Sequence, residues 1–173
     1  YLTCFLALWL ALERCVMFET VELNGNMFFL RTWGKPSNPV LLLLHGFPEY
    51  SGAWEELGER LRHMFYCVAP DQRGYGKSYS PSEVEAYKMR YLVGDLHALI
   101  THLGGPVFVL GHDWGAAAAY GLTITHPELV KKLVILNGVH PIPFQKALLE
   151  DANQILASQY ILWLRREGSE NVL

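Results

Sequence analysis

The 173-residue sequence has few cysteines and no surplus of basic residues, and both shortages exclude classes of protein. Its three cysteines, Cys4, Cys15 and Cys67, form no C-x-x-C pair and cannot all pair with one another. This argues against a disulfide scaffold and against a zinc site, and we expect no metal. Fourteen Lys and Arg residues stand against 17 Asp and Glu residues, for a net charge of −3. Without a basic surplus to neutralise phosphates, nucleic-acid binding is not expected.

The sequence also lacks an apolar run long enough to cross a membrane. Residues 1–12 carry no charge, but Glu13 and Arg14 interrupt the run, and a spanning helix needs about 18 or more apolar residues. The segment has neither the basic n-region nor the small-residue cleavage site of a secretory signal. We therefore expect a cytoplasmic protein. Membrane association through residues 1–12 is the alternative, if they are the remnant of an anchor.

The rest of the sequence alternates between strand and helix signals. Runs at 18–23 and 27–33 flank Asn24-Gly25, which is a strong hairpin signal. Apolar runs predict further strands at 40–44, 65–70, 107–110 and 132–136. Periodic segments predict helices at about 53–63, 84–102 and 114–125, and one or two helices at 144–166. This order predicts an α/β fold, with a mostly parallel sheet and helices on both faces.

The pentapeptide Gly111-His112-Asp113-Trp114-Gly115 stands where a predicted strand turns directly into a helix. This is the position of the G-x-S-x-G nucleophile elbow, with Asp113 in place of serine. Gly111 and Gly115 suit a tight turn and close packing of helix on strand. The alternative is an ordinary loop aspartate that caps a helix.

A second motif, His45-Gly46-Phe47-Pro48, directly follows the apolar run at 40–44. This is where the elbow architecture places its oxyanion-hole loop. The backbone N–H groups of Phe47 and Trp114 would then converge on one oxygen. Gly46 and Pro48 would also mark any tight turn, but two such motifs, in this order and each at the end of a predicted buried strand, favour the oxyanion hole.

The segments HGFPE, DQRGYGKS, GHDWG and N-x-x-H-P resemble the epoxide hydrolases of the α/β-hydrolase fold, over about residues 19–166. The resemblance implies a core at 18–140, preceded by a hydrophobic N-terminal segment at 1–17 and followed by the start of a helical lid at 141–173. In this fold an acid and a histidine follow the nucleophile in chain order. Because only 60 residues follow Asp113 (173 − 113), we expect a fragment that is truncated inside the lid, with acid and histidine after Leu173.

Asp113 suits covalent catalysis at a saturated carbon. A carboxylate that attacks such a carbon forms an alkyl ester, which water can cleave at the carboxyl carbon, whereas serine would form a stable ether. The oxyanion hole would then stabilise the charge on the Asp113 oxygen during hydrolysis. The expected substrates are a small epoxide and water, and no cofactor is implied.

The choice within the family depends on the lid and on the residue after His45-Gly46. Tyr160 matches the first of two lid tyrosines that, by the resemblance, protonate the epoxide oxygen, although it could also be a packing aromatic. Haloalkane dehalogenases commonly have an asparagine where this chain has Phe47. We therefore expect an epoxide hydrolase. The alternatives are a haloalkane dehalogenase-like enzyme and a non-catalytic binding protein of the same fold.

The remaining polar residues near these motifs are interpreted as structural. We expect Asp71 and Arg73 to pair and hold their loop, and His45 to orient the oxyanion loop by hydrogen bonding. His112 should point away from Asp113, because adjacent residues of an elbow face different ways. His140 is the alternative catalytic base.

Overall fold

The computed structural model describes residues 16–166 and 168–169. The apolar segment at 1–12 lies outside the described residues. The chain divides into two compact units, of which the first ends at Gly138 and the second begins at Val139. No helix within the described ranges is long and apolar enough to span a membrane.

The first unit contains a six-stranded sheet in the order β1-β2-β4-β3-β5-β6. Its strands, in chain order, are Val16–Leu23, Asn26–Trp33, Val40–Leu44, Tyr66–Pro70, Val107–His112 and Val130–Leu136. β1 and β2 form the predicted hairpin, with Asn24 and Gly25 both at positive φ (52° and 77°) in the turn. β2 runs antiparallel to β4, and the other three strand pairs are parallel. The predicted α/β fold with a mostly parallel sheet is confirmed.

Strands β3 and β5 are neighbours and parallel, with Leu44 opposite Gly111. Their carboxyl ends therefore lie at one edge of the sheet, and the loops that follow them meet there. The loop after β3 carries the HGFPE motif, and the turn after β5 carries GHDWG. Sheet order thus brings together two motifs that are 66 residues apart in sequence.

Helices cover both faces of this sheet. They are α1 (Glu55–Leu61), α2 (Met89–His102) and α3 (Trp114–Thr125). On one face α2 and α3 bury Leu96, Leu99 and Leu122 against Leu42 and Leu44. On the other face, Leu57 and Leu61 of α1 pack against a cluster that includes Trp33, Leu41 and Leu43. Residues that alternate along β3 thus fill two separate cores, as expected for a strand that is buried on both faces.

Two predicted helices are interrupted. The helix predicted at 53–63 is a 3₁₀ turn, Ser51–Trp54, followed by α1. The one predicted at 84–102 is a 3₁₀ turn, Val84–Tyr87, and then α2, with extended backbone at Lys88. Side-chain hydrogen bonds hold this second turn, since the Tyr87 hydroxyl donates to the carbonyl of Pro81 and Arg73, 13 residues away, donates to the carbonyl of Ala86.

The second unit has three helices within its described residues, where one or two were predicted at 144–166. They are α4 (Pro141–Glu150), α5 (Ala152–Ala157) and α6 (Gln159–Leu164). The break between α4 and α5 lies at Asp151, which has extended backbone and whose carboxylate accepts from the N–H groups of Asn153 and Gln154. This N-cap begins a new helix inside a segment whose composition is helical throughout.

Candidate active site

Asp113 lies at the turn between β5 and α3, with φ of 50° and ψ of −115°. This region is sparsely populated for residues other than glycine and recurs at functional sites. A Cβ at Gly111 would lie 2.7 Å from the carbonyl oxygen of Gly115 and 2.8 Å from the Cα of Ala116. A Cβ at Gly115 would lie 2.5 Å from the carbonyl oxygen of His45. Both glycines are thus required by close backbone packing, and the predicted elbow geometry is confirmed.

The loop after β3 reaches the carboxylate of Asp113. The backbone N–H of Phe47 donates to Oδ1 of Asp113 at 3.0 Å. The Phe47–Pro48 peptide bond is cis. Gly46 is required here as well, because a Cβ at this position would lie 2.5 Å from the Cβ of Asp113. One of the two expected N–H groups therefore points at the predicted nucleophile.

The other expected donor, Trp114, is the first residue of α3, and its side chain is exposed. The N–H groups in the first turn of a helix lack partners within the helix, so that of Trp114 is available to an oxygen placed at the elbow. Its convergence with the Phe47 N–H on one oxygen stays a prediction.

Glu49 is the residue that the sequence interpretation missed, although it is the last residue of HGFPE. Its Oε2 accepts from the backbone N–H of Gly46 at 2.9 Å and lies 3.1 Å from Nδ1 of His112. Burial raises the pKa of Glu49, but the Gly46 N–H and His112 outweigh it, and the net pKa is lowered. The side chain of His112 thus contacts Glu49, and the pair connects the elbow to the loop after β3.

His45 is fully buried at the start of the same loop. Its Nδ1 lies 2.9 Å from the carbonyl oxygen of Gly46, and its Nε2 accepts from the backbone N–H of Gln72 at 3.1 Å. Burial lowers the pKa of His45, although Gly46, Asp71 and Glu49 oppose that effect. The expected hydrogen bonding from His45 to its loop is present.

The expected pair between Asp71 and Arg73 is wrong. The carboxylate of Asp71 instead accepts from the backbone N–H groups of Ser51 and Lys77, both at 2.9 Å. Arg73 forms a bidentate ion pair with Asp95 of α2, with both N–O distances at 2.7 Å. The backbone around Asp71 supplies enough donors for its carboxylate, which leaves Arg73 to reach a carboxylate 22 residues away.

Two residues singled out in the sequence, His140 and Tyr160, lie in the second unit, and a further histidine, His126, lies away from the elbow turn. His126 is the C-cap of α3, in ring contact with His97 and 3.4 Å from Glu128. His140 is the N-cap of α4 and accepts from the N–H of Ile142. Tyr160 lies on α6, and its side chain is exposed. Within the described ranges, no group of three or more His, Cys, Asp or Glu residues could hold a metal ion.

A strained residue between a parallel strand and a helix, facing a backbone N–H from the neighbouring strand's loop, defines the α/β-hydrolase class. The chain belongs to the alpha/beta hydrolase fold family, whose family model matches residues 39–167.

Relatives named epoxide hydrolases confirm the resemblance found in the sequence. The chain is 38% identical to epoxide hydrolase 3 of Xenopus tropicalis over 139 residues, which are 80% of this chain and 38% of the relative. A solved structure from novel epoxide hydrolases in metagenomes from hot environments matches with a TM-score of 0.85 and 38% identity, over 90% of this chain and 53% of that one. A mutant epoxide hydrolase from Bacillus megaterium, complexed with its product (R)-3-[1]naphthyloxy-propane-1,2-diol, matches with a TM-score of 0.82 and 33% identity, over 86% and 52%. The chain thus spans between about two fifths and about half of the length of these relatives.

Proposed function

We propose that this chain carries the nucleophile of an epoxide hydrolase that adds water to a small-molecule epoxide, giving a 1,2-diol. The observation that carries the proposal is the 3.0 Å hydrogen bond from the Phe47 N–H to a carboxylate held at the strained elbow position. The names of the relatives, and the diol described as a product of the Bacillus megaterium enzyme, support the substrate class.

In the first step, Oδ2 of Asp113 attacks an epoxide carbon. A carbon–oxygen ester bond forms and the ring carbon–oxygen bond breaks, so that the electron pair moves to the ring oxygen, which takes up a proton. Oδ1 already accepts from Phe47, whereas Oδ2 accepts no hydrogen bond from the part of the chain that the structure describes. We propose Tyr160 as one donor of that proton, on the basis of the family resemblance.

In the second step, water attacks the carboxyl carbon of the ester. Since Oδ2 is esterified, negative charge develops on Oδ1, the atom that faces the Phe47 N–H. The tetrahedral intermediate collapses, releases the diol and restores the carboxylate. The N–H groups of Phe47 and Trp114 form the proposed oxyanion hole, and loss of one such donor typically lowers the rate about 10²–10³-fold.

The water must lose a proton to a base, and in this fold a histidine after the nucleophile takes that role. Two histidines follow Asp113 in this sequence, His126 and His140. His126 lies at the far end of the 12-residue helix α3, about 18 Å from the elbow at 1.5 Å per residue. This distance excludes it. His140 stays a candidate, which replacement by glutamine tests.

In the decisive experiment, the chain is incubated with an aryl glycidyl ether in H₂¹⁸O, and the intact mass of the protein and the amount of diol formed are measured. Attack by Asp113 predicts either an adduct of the epoxide's mass on the Asp113 peptide or, where turnover completes, one ¹⁸O in the Asp113 carboxylate. Asp113→Asn, with circular dichroism to check folding, should abolish both. If His140 is the base, His140→Gln should turn diol formation into accumulated adduct.

Three results separate the alternatives. Halide release from a bromoalkane, without attack on epoxides, would favour a haloalkane dehalogenase. Label found only in the diol would mean that water attacks the epoxide directly and would contradict the covalent mechanism. A folded chain that gives neither adduct, label nor diol would contradict catalysis and favour a binding protein of this fold.

A further inference from the structure

Gln72 contacts the oxyanion loop at two points, once through its side-chain amide and once through its backbone N–H, and the proposed chemistry uses neither group. Its amide Nε2 donates to the carbonyl oxygen of His45 at 2.6 Å, and its backbone N–H donates to Nε2 of the His45 ring at 3.1 Å. The geometry follows from the sheet, because β3 and β4 are parallel neighbours. His45 directly follows β3, and Gln72 lies two residues after the end of β4, so both reach the same edge.

The Gln72 backbone also determines which nitrogen of His45 carries the proton. Nε2 accepts from an N–H, so it must present a lone pair, and the neutral ring then carries its proton on Nδ1. Nδ1 faces the carbonyl oxygen of Gly46 at 2.9 Å and donates to it. The ring is fully buried and contacts the Tyr75 ring edge-on, at 4.9 Å between centroids. His45 is thereby held as one neutral tautomer, and its lowered pKa agrees with that state.

The peptide unit between Gly46 and Phe47 links the His45 ring to the carboxylate of Asp113. A trans peptide unit is planar, and its C=O and N–H point in opposite directions. The carbonyl of Gly46 accepts from the His45 ring and from the N–H of Glu49, at 2.9 and 3.1 Å. The N–H of Phe47 on the opposite side therefore points away from His45 and meets Oδ1 of Asp113.

The preceding peptide unit is held in the same manner. Its carbonyl, from His45, accepts from the Gln72 amide, and its N–H, from Gly46, donates to the Glu49 carboxylate. Gly46 joins the two units and has the widest backbone freedom of any residue type. A Cβ at Gly46 is excluded by Asp113, so side-chain chemistry at position 46 cannot restrict that freedom. Contacts from outside must do so.

We propose that Gln72, acting with the Nδ1–H tautomer of His45, is a positioning residue that aims the Phe47 N–H at the Asp113 carboxylate by holding the two peptide units that flank Gly46. This inference rests on the proposed function for its catalytic consequence. Its structural part, the orientation of one N–H group, can be measured without any substrate.

The variant Gln72→Met tests the inference, because it keeps the length of the side chain and removes the amide donor. Gln145→Met, at an exposed position of α4, is the matched control. A hydrogen bond contributes roughly 0.5–1.5 kcal/mol net, so its loss changes an equilibrium constant about 2–13-fold. We expect the amide exchange of Phe47 to accelerate by about that factor in Gln72→Met and to stay unchanged in the control.

The kinetic readout separates positioning from general stability. If the Phe47 N–H acts mainly on the ester's oxyanion, Gln72→Met should slow ester hydrolysis several-fold while alkylation of Asp113 stays within about twofold. A purely structural role would lower thermal stability and change both rates alike, or neither. Nitrogen-15 NMR of His45 should show Nδ1 protonated and Nε2 unprotonated.

Two results would overturn the inference. One is unchanged exchange of the Phe47 amide in a folded Gln72→Met variant, and the other is a His45 ring protonated at Nε2. Wild-type chain that never forms an alkyl ester would instead refute the proposed function, and the exchange and NMR measurements would still decide the positioning role.

Discussion

The buried ion pair between Arg73 and Asp95 should dominate the stability of the loop that follows β4. Both N–O distances are 2.7 Å, and the side chains are only 7% and 8% exposed. Removing one partner of a buried pair leaves an uncompensated charge and typically costs about 3–5 kcal/mol, whereas replacing both by apolar residues is often neutral. We therefore expect Asp95→Asn and Arg73→Met to be strongly destabilising, and the double variant Arg73→Met/Asp95→Leu to recover most of the loss.

The two single variants should lose different amounts of stability. After Asp95→Asn, Arg73 still donates to the carbonyl of Ala86 and lies over the rings of Tyr79 and Tyr91, at 5.2 and 5.6 Å from their centroids. These contacts place this variant near the lower end, at about 3 kcal/mol. After Arg73→Met, Asp95 accepts no other hydrogen bond within the described residues, so the cost should approach about 5 kcal/mol.

Urea denaturation measures these differences in the free energy of unfolding. The matched control is Glu56→Gln, since Glu56 and Arg60 form a pair at the same 2.7 Å distance but are 80% and 73% exposed. That variant should lose only about 0.3–0.5 kcal/mol. A loss below about 1 kcal/mol in Asp95→Asn would refute the reasoning, and so would a double variant that is no more stable than the less stable of the two single variants.

Three further predictions concern the site and the core. Gly46→Ala should slow ester hydrolysis about 10²–10³-fold, because the new methyl would displace the Phe47 N–H from Asp113. Gly94→Ala, which meets no atom within 4 Å, should not change the rate, and equal rates in both variants would contradict the close approach. Burial raises the pKa of Cys67 to about 11, so peptide mapping should find it unmodified by iodoacetamide at about pH 8 until urea unfolds the chain; rapid modification of folded protein would argue against its burial. The pKa of Glu49 is lowered from 4.5, because burial, which raises it, is outweighed by the hydrogen bonds from the Gly46 N–H and His112. Its ionisation therefore stabilises the fold above pH 4.5, and this contribution is lost as the pH falls below that value. Urea midpoints of wild type and Glu49→Gln should converge on acidification, and a gap independent of pH would contradict the shift.

Local patterns were sufficient to predict the strands and the elbow. The apolar run at 40–44 matches β3 to the residue, and Asn24-Gly25 lies in the turn of the predicted hairpin. The elbow could be predicted because its requirements are nearly local, since Gly111 is crowded by Gly115 and Ala116, only four and five residues away. Helix interruptions were not predicted, because those at Lys88 and Asp151 depend on side-chain and long-range contacts that periodicity does not encode.

The sequence alone determined which residues lie at the carboxyl ends of the strands, and with them the Asp113 and Phe47 positions of the site. The tertiary structure decided how the polar residues there pair. Arg73 pairs with Asp95 rather than with Asp71, Glu49 contacts His112 across 63 residues, and Gln72 contacts His45 across 27. The reason is that a polar side chain pairs with whatever the order of neighbouring strands and helices places within about 3 Å. In this chain that order is β4-β3-β5, which no single segment of the sequence specifies.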